Sequence, residues 1–139
     1  MSGVVSTKKT ILIIEDEPAL RHVADRRALG KYGLGYVKPA PLPIGGFLRN
    51  GYLLQGQTLA DLARAAGIDP AGLEQTVRDY NRDAVRGEDP AFGRGTSPYN
   101  RVQGDADQAP NPCVAPIARG PFYAVRIVPG SLGSFEIGR

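Results

Sequence analysis

Residues 88–120 contain five prolines and four glycines and show neither a helical nor a strand period. This run limits the fold more than any other feature. A compact domain seldom carries some thirty residues without regular structure. Each proline also fixes its backbone and removes a hydrogen-bond donor. The run is therefore either disordered or laid against a surface. Its apolar and aromatic members (Phe92, Tyr99, Val102, Val114 and Ile117) favour the second reading, and the expectation is a surface that this chain does not itself contain. With 18 Gly and 12 Pro among 139 residues, irregular backbone is expected well beyond this stretch.

Before that run the signals are regular. Thr58 and Asp61 form a capping-box variant, and Leu59, Leu62, Ala63 and Ala66 make an apolar stripe that Gly67 closes. Asp69 then caps a second helix with Pro70 in its first position. Leu73, Val77, Tyr80 and Ala84 share one face, Arg78, Asp79, Arg82 and Asp83 the other, and Gly87 ends it. The spacing predicts a helical hairpin over 58–86. FYAVRIV (122–128) is aromatic and β-branched and predicts a strand, turned by Pro129-Gly130. Residues 30–56 read as loop, with an extended strip at Pro39, Pro41 and Pro43 and a short strand or packed turn at Tyr52–Leu54. At the start, Thr10–Ile14 reads as a strand buried on both faces, as in a parallel sheet. Asp16 and Pro18 then open a helical pattern through Leu20, Val23, Ala24, Arg27 and Ala28. The fold class is α+β: a helical hairpin packed on a small sheet with long irregular loops, an incomplete domain.

Composition narrows the chemistry. Net charge is +3, with basic residues scattered and not interleaved with aromatics, so a solvated basic surface is preferred and no nucleic-acid partner is expected. Cys113 is the only cysteine, so no internal disulfide forms, and no His stands near it in sequence to make it a nucleophile. His22 is the only histidine; one His and one Cys far apart build no zinc site, and no metal is expected. No G-x-S-x-G frames a serine for a triad with His22. No run of 18 apolar residues exists, so no membrane span is expected, and the apolar stretch after Lys8-Lys9 is too short for a signal peptide. A cytoplasmic location is the expectation.

KKTILIIEDEPALR (8–21) resembles the first strand and helix start of a response-regulator receiver domain, in which an acidic pair such as Glu15-Asp16 binds Mg²⁺. No alternation of strands and helices follows Leu29 to supply the family's phospho-accepting aspartate and its lysine. The acidic pair therefore reads as a helix-start cluster, and residues 1–24 as a receiver-like or unrelated leader.

A wider resemblance covers about 110 residues, from Asp25 to Ser134. It rests on RRALGKYGLGYVKPAPLP (26–43), GYLLQGQTLADLARAAGIDPAGLEQTVRDYNRDA (51–84), DPAFGRG (89–95), PNPCVAPI (110–117) and PFYAVRIVPGSLGS (121–134). In order and spacing these are similar to the FAD-binding dehydrogenases that include fumarate reductase flavoproteins and ketosteroid Δ1-dehydrogenases, and nearer to the latter. The resemblance implies FAD as cofactor and a small-molecule substrate dehydrogenated next to a carbonyl. It makes residues 25–139 part of the substrate-capping domain, with no catalytic residue of its own. It matches Leu132, Gly133 and Ser134 to the loop facing flavin and substrate. Gly133 stands where the fumarate-reducing branch uses a histidine, so that chemistry is excluded. The family's G-x-G-x-x-G is absent after Ile14, so binding of FAD by this chain alone is doubtful. Three readings follow: a piece of an FAD-dependent oxidoreductase, inactive in isolation; a non-catalytic piece that docks on a separate flavoprotein chain; or a signalling module. Tyr123 and Tyr52 read first as half-buried packing residues and second as hydrogen-bond donors to a ligand, and Arg94 as a clamp within its loop.

Overall fold

The computed structural model describes residues 3–5, 12–16, 19–90 and 93–127. Five strands form one sheet in the order β1 (Gly3–Val5), β2 (Leu12–Asp16), β3 (Ala19–Asp25), β5 (Phe122–Ile127), β4 (Leu53–Gly56). Every neighbouring pair is antiparallel. The α+β class stands, with helices on a small antiparallel sheet.

Side-chain alternation divides the sheet into two covered faces. Val23, Phe122 and Ala124 turn to one face and pack with Leu62, Ala63, Leu73, Val77 and Ile117. Ala24, Tyr123, Val125 and Leu53 turn to the other and pack with Ala28, Leu29, Leu34 and Val37. Neighbouring residues of one strand are thus both fully buried: Val23 and Ala24 are each 0% exposed.

The helical hairpin forms as its caps dictate. α3 (Leu59–Ala66) starts at Thr58, whose Oγ1 accepts from Asp61 N at 3.0 Å, and ends at Gly67 in the left-handed region. α4 (Pro70–Ala84) starts at Asp69, which accepts from Gly72 N at 3.1 Å, and buries Leu73, Val77 and Ala84. β4 lies so close to α3 that a Cβ on Gly56 would fall 2.6 Å from Leu62 Cα.

The N-terminal expectation is overturned. Residues 19–25 are a strand, not a helix, and β2 belongs to an antiparallel sheet rather than a parallel one. Leu20 pairs with Ile127 and Val23 with Ala124; a partner strand on each side outweighs a weak helical spacing. The helix begins only at Arg26, with Asp25 as its N-cap: α1 spans Arg26–Tyr32 and Ala28 N donates to Asp25 Oδ1 at 2.9 Å. A receiver's strand-then-helix start is therefore not formed, and Glu15 and Asp16 end a hairpin strand rather than opening a helix.

The proline-rich run is corrected as well. It packs against its own chain: Val114 and Ile117 are buried, as are Cys113 and Ala115. Tyr80 Oη donates to Ala115 O at 2.9 Å, and the Asn81 amide holds both backbone groups of Ile117. The polar edge of α4 thus supplies the hydrogen bonds that a loop without regular structure lacks. A short helix, α5 (Pro98–Gln103), leaves Tyr99 and Val102 exposed. Within 30–56, read as loop, a five-residue helix α2 (Gly45–Arg49) forms, and β4 confirms the short strand.

Candidate functional site

The site is built where α1 leaves the sheet. Leu29 on α1 and Tyr123 on β5 are both 5% exposed and face the same side. The proline strip 39–43 folds over them as a turn, not as an extended segment. Between these walls lies a cavity of about 320 Å³, lined by Leu29, Tyr123, Pro41, Leu42, Ile44 and the cations Arg26 and Lys38, among others. It is mainly apolar, with two positive charges. Among the described residues no carboxylate forms an ion pair with either Arg26 or Lys38.

Tyr123 Oη accepts from Gln55 Nε2 at 3.4 Å. Burial pushes its phenol above the ordinary range, and the positive charge of Arg26 draws it back in part. The phenol is thus neutral at physiological pH and keeps its proton as a donor. Tyr52 lies outside this pocket: its hydroxyl accepts from Tyr36 N at 3.1 Å and its ring packs against Tyr36 and Phe47. Tyr52 is a packing residue in this structure, while Tyr123 both packs and lines the cavity.

Arg94 clamps its loop, as its position in the FGRG turn suggests. Its Nε donates to Asp89 Oδ2 at 2.9 Å, with both side chains about nineteen-twentieths buried or more. The guanidinium also lies over the Tyr80 ring, 5.4 Å from its centroid. Asn111 was not singled out from sequence. Its Nδ2 donates to Gly87 O and Arg94 O, and its Oδ1 accepts from Cys113 N. Its bond to Cys113 is a local Asx turn, while the two carbonyl partners come only from the tertiary arrangement.

A second polar cluster ties α1 to the 105–108 turn. Lys31 Nζ lies 2.6 Å from Asp105 Oδ2, Tyr32 Oη donates to the same carboxylate, and Arg27 Nη2 donates to Gln108 Oε1 at 2.6 Å. Lys31 holds the Asp105 carboxyl well below its usual range. Burial, with Asp105 adding to it, raises Tyr32 to about 12.

Leu132, Gly133 and Ser134 lie outside the described residues. Among the described residues no group of three or more His, Cys, Asp or Glu could hold a metal, and no helix is long and apolar enough to cross a membrane. Nor do these residues fit the pyrophosphate of a dinucleotide. That fit needs a glycine turn between a strand and a helix start with free N–H groups. Here β3 runs directly into α1, and the carboxylate of Asp25 fills the helix start while its second oxygen accepts from Ala118 N at 3.1 Å. A pyrophosphate there would meet a buried negative charge.

The comparisons with known proteins bear on the whole of this arrangement. Residues 8–136 match the family profile described as FAD binding domain. The chain belongs to the FAD binding domain family. It is 51% identical over 113 residues to 4-oxocyclohex-2-ene-1-carboxylate 5-dehydrogenase of Sinomonas cyclohexanicum, covering 81% of this chain and 19% of that protein. It is 35% identical over 112 residues to a 3-oxosteroid 1-dehydrogenase of Mycobacterium tuberculosis, covering 81% of this chain and 20% of that one. In fold it is similar to the crystal structure of 3-ketosteroid Δ1-dehydrogenase from Sterolibacterium denitrificans in complex with 1,4-androstadiene-3,17-dione. There the TM-score is 0.70 at 33% identity, over 78% of this chain and 20% of that one. The chain thus spans about a fifth of the length of the relatives it matches. The family match reaches back to residue 8, across the acidic pair Glu15-Asp16.

Proposed function

We propose that this chain supplies the substrate-covering part of an FAD-dependent dehydrogenase that acts on a carbon–carbon bond next to a carbonyl. One observation carries the reading. The chain, 51% identical over 113 residues to a 4-oxocyclohex-2-ene-1-carboxylate 5-dehydrogenase, folds as a sheet with both faces covered and keeps an apolar cavity beneath the proline turn. A covering element of this kind holds substrate in place and keeps water from the reacting carbon. In this reading the flavin's pyrophosphate is held by residues other than those described, and residues 25–139 form the cap. Leu132, Gly133 and Ser134 then line the side that faces flavin and substrate.

A chimera tests it. Residues 25–139 of this chain replace the corresponding segment of the Sinomonas dehydrogenase, and flavin absorbance of the purified protein reports that the host has folded. The expected result is flavin reduction by a ring ketone. A chimera that holds stoichiometric flavin and reduces none of it overturns the reading. The chain by itself is expected to purify without stoichiometric flavin.

A second reading, docking on a separate flavoprotein chain, is favoured by the large apolar residues left exposed at Tyr36, Tyr99 and Val102. It predicts co-elution with such a chain in size-exclusion chromatography.

A further inference from the structure

The connection from α2 to β4 places an asparagine before a glycine at the end of a weakly held helix. α2 is five residues long, buries none of them and has no side-chain cap at its start. A helix so short is not stable by itself and opens locally with ease. It ends at Asn50, with φ −86° and ψ 0°, and Gly51 follows with φ 83°. Both residues are exposed. The Gly51 N–H donates to Leu48 O at 3.4 Å, longer than the usual range. Asn50 Oδ1 accepts from Tyr52 N at 2.9 Å, an Asx turn that holds the side-chain amide beside Gly51. Nothing lies within 4 Å of where a Cβ on Gly51 would stand, so there is room for a ring to close there.

The other asparagines of the chain lack this combination. Asn111 precedes Pro112, which has no N–H. Asn81 lies inside α4, with its amide on both backbone groups of Ile117. Asn100 precedes Arg101, whose N–H donates to Ser97 O at 3.1 Å.

We infer that Asn50-Gly51 is a self-modification site, where Asn50 loses its amide through a cyclic imide when the end of α2 opens. In the closed turn, ψ near 0° points the Gly51 nitrogen away from Asn50 Cγ; opening lets ψ rotate and brings the two together. A solvent base takes the Gly51 amide proton. Gly51 N then bonds to Asn50 Cγ, and the Cγ–Nδ2 bond breaks, Nδ2 leaving as ammonia with a proton from water. Water opens the imide in turn. Attack at Cγ restores the Gly51 N–H and leaves aspartate. Attack at the backbone carbonyl leaves isoaspartate, with the main chain routed through Cβ and Cγ. Nothing is oxidised or reduced. Gly51 suits the step because it has no Cβ to obstruct the closing ring.

The isoaspartyl product inserts one backbone atom just before Tyr52 and Leu53, and Leu53 is only 1% exposed in the core. Either product sets a negative charge at the C-terminal end of α2, where the helix dipole opposes it. Ile44 both precedes α2 and lines the cavity, so the modification loosens that wall.

The test is ageing of the whole folded chain in neutral and alkaline buffer, followed by peptide mapping with mass spectrometry and an isoaspartate assay. The peptide that contains Asn50 is expected to gain the difference between water and ammonia, faster in alkali, as a mixture of isoaspartate and aspartate. The peptides of Asn81, Asn100 and Asn111 are expected to stay unchanged over the same time. The chain unfolded in guanidinium is expected to convert at Asn50 about tenfold faster, since no turn then has to open. Gly46→Ala firms α2 at a point where the added Cβ meets nothing closer than 4.0 Å, and should slow the conversion about threefold. No conversion at Asn50 in the folded chain while the unfolded chain converts, aspartate without isoaspartate, or a rate unchanged in G46A overturns the inference. If G46A does not fold, amide hydrogen exchange of the unaltered chain decides the gating step. Gly51 is then expected to exchange faster than the paired amides of β4, and equal protection overturns the inference.

Discussion

The side-chain amide of Asn81 grips the backbone of Ile117 from both sides: Nδ2 donates to its carbonyl at 2.7 Å and Oδ1 accepts from its N–H at 2.8 Å. One α4 residue thereby does for a loop what a neighbouring strand does for a strand. Asn81→Ala leaves both groups without partners and is expected to cost about 2 kcal/mol. Chemical denaturation measures this, and limited proteolysis should show faster cleavage within 88–120 than in the unaltered protein. Unchanged stability together with unchanged cleavage would mean that Ile117 is held by packing alone.

The buried pair of Arg94 and Asp89 predicts an asymmetry. Asp89→Ala leaves a guanidinium in a dry site and is expected to destabilise by about 3–5 kcal/mol. Replacing both partners with apolar residues, D89L/R94M, should recover a large part of that loss. A double variant as unstable as D89A would show that the loop needs the pair's hydrogen bonds, not merely the absence of a lone charge.

Tyr32 and Asp105 give the fold a dependence on pH at both extremes. Tyr32 titrates at about 12 in the folded chain against 10.0 ordinarily, so its stabilisation is complete below pH 10 and is lost as pH rises toward 12. Asp105 is shifted down from 3.8, so its contribution is complete above that value and is lost as pH falls below it. Ultraviolet titration of the tyrosinates should show one late phenol that Tyr32→Phe removes. In melting curves, D105N should lose its deficit relative to the unaltered protein as the solution is acidified below pH 4. A deficit that persists there would separate Asp105 from the acid limb.

His22 is the sole imidazole, and burial shifts it below 6.5. The neutral ring is the form the fold favours. Its contribution is therefore present above 6.5 and is lost as pH falls through the lowered value. Proton NMR of the ring gives the midpoint directly. A midpoint at or above 6.5 would contradict the burial of β3 between β2 and β5.

The hairpin of α3 and α4 could be read from sequence because each end carries its own chemistry: Thr58 and Asp69 accept at the starts, and Gly67 turns left-handed at the close. β5 was equally plain from its β-branched and aromatic residues. The N-terminal error has a definite source. Asp16 and Pro18 imitate a helix start, and Val23 and Ala24 fit a helical stripe as well as they fit a strand buried on both faces. The partner strands β2 and β5, the second nearly a hundred residues later, decide between them. The proline-rich run was misplaced for a related reason. Its partners, Tyr80 and Asn81, sit on what looks from the sequence like one side of an ordinary amphipathic helix. The cavity is half legible in the sequence: Tyr123 stands out as a possible ligand contact, whereas Arg26 and Lys38 reach the same hollow only through the turn at Pro41.

Asp25 and Phe122 stand opposite each other where β3 ends and β5 begins. The chain leaves the sheet at one and comes home at the other, carrying β4 and the five helices of the described residues on the excursion between them. Departure and return share a single doorway, and what lies between them closes back over both sides of it. Because β4 and the helices of that excursion cover both faces of β3 and β5, the frame and its contents share one core and stand or fall together.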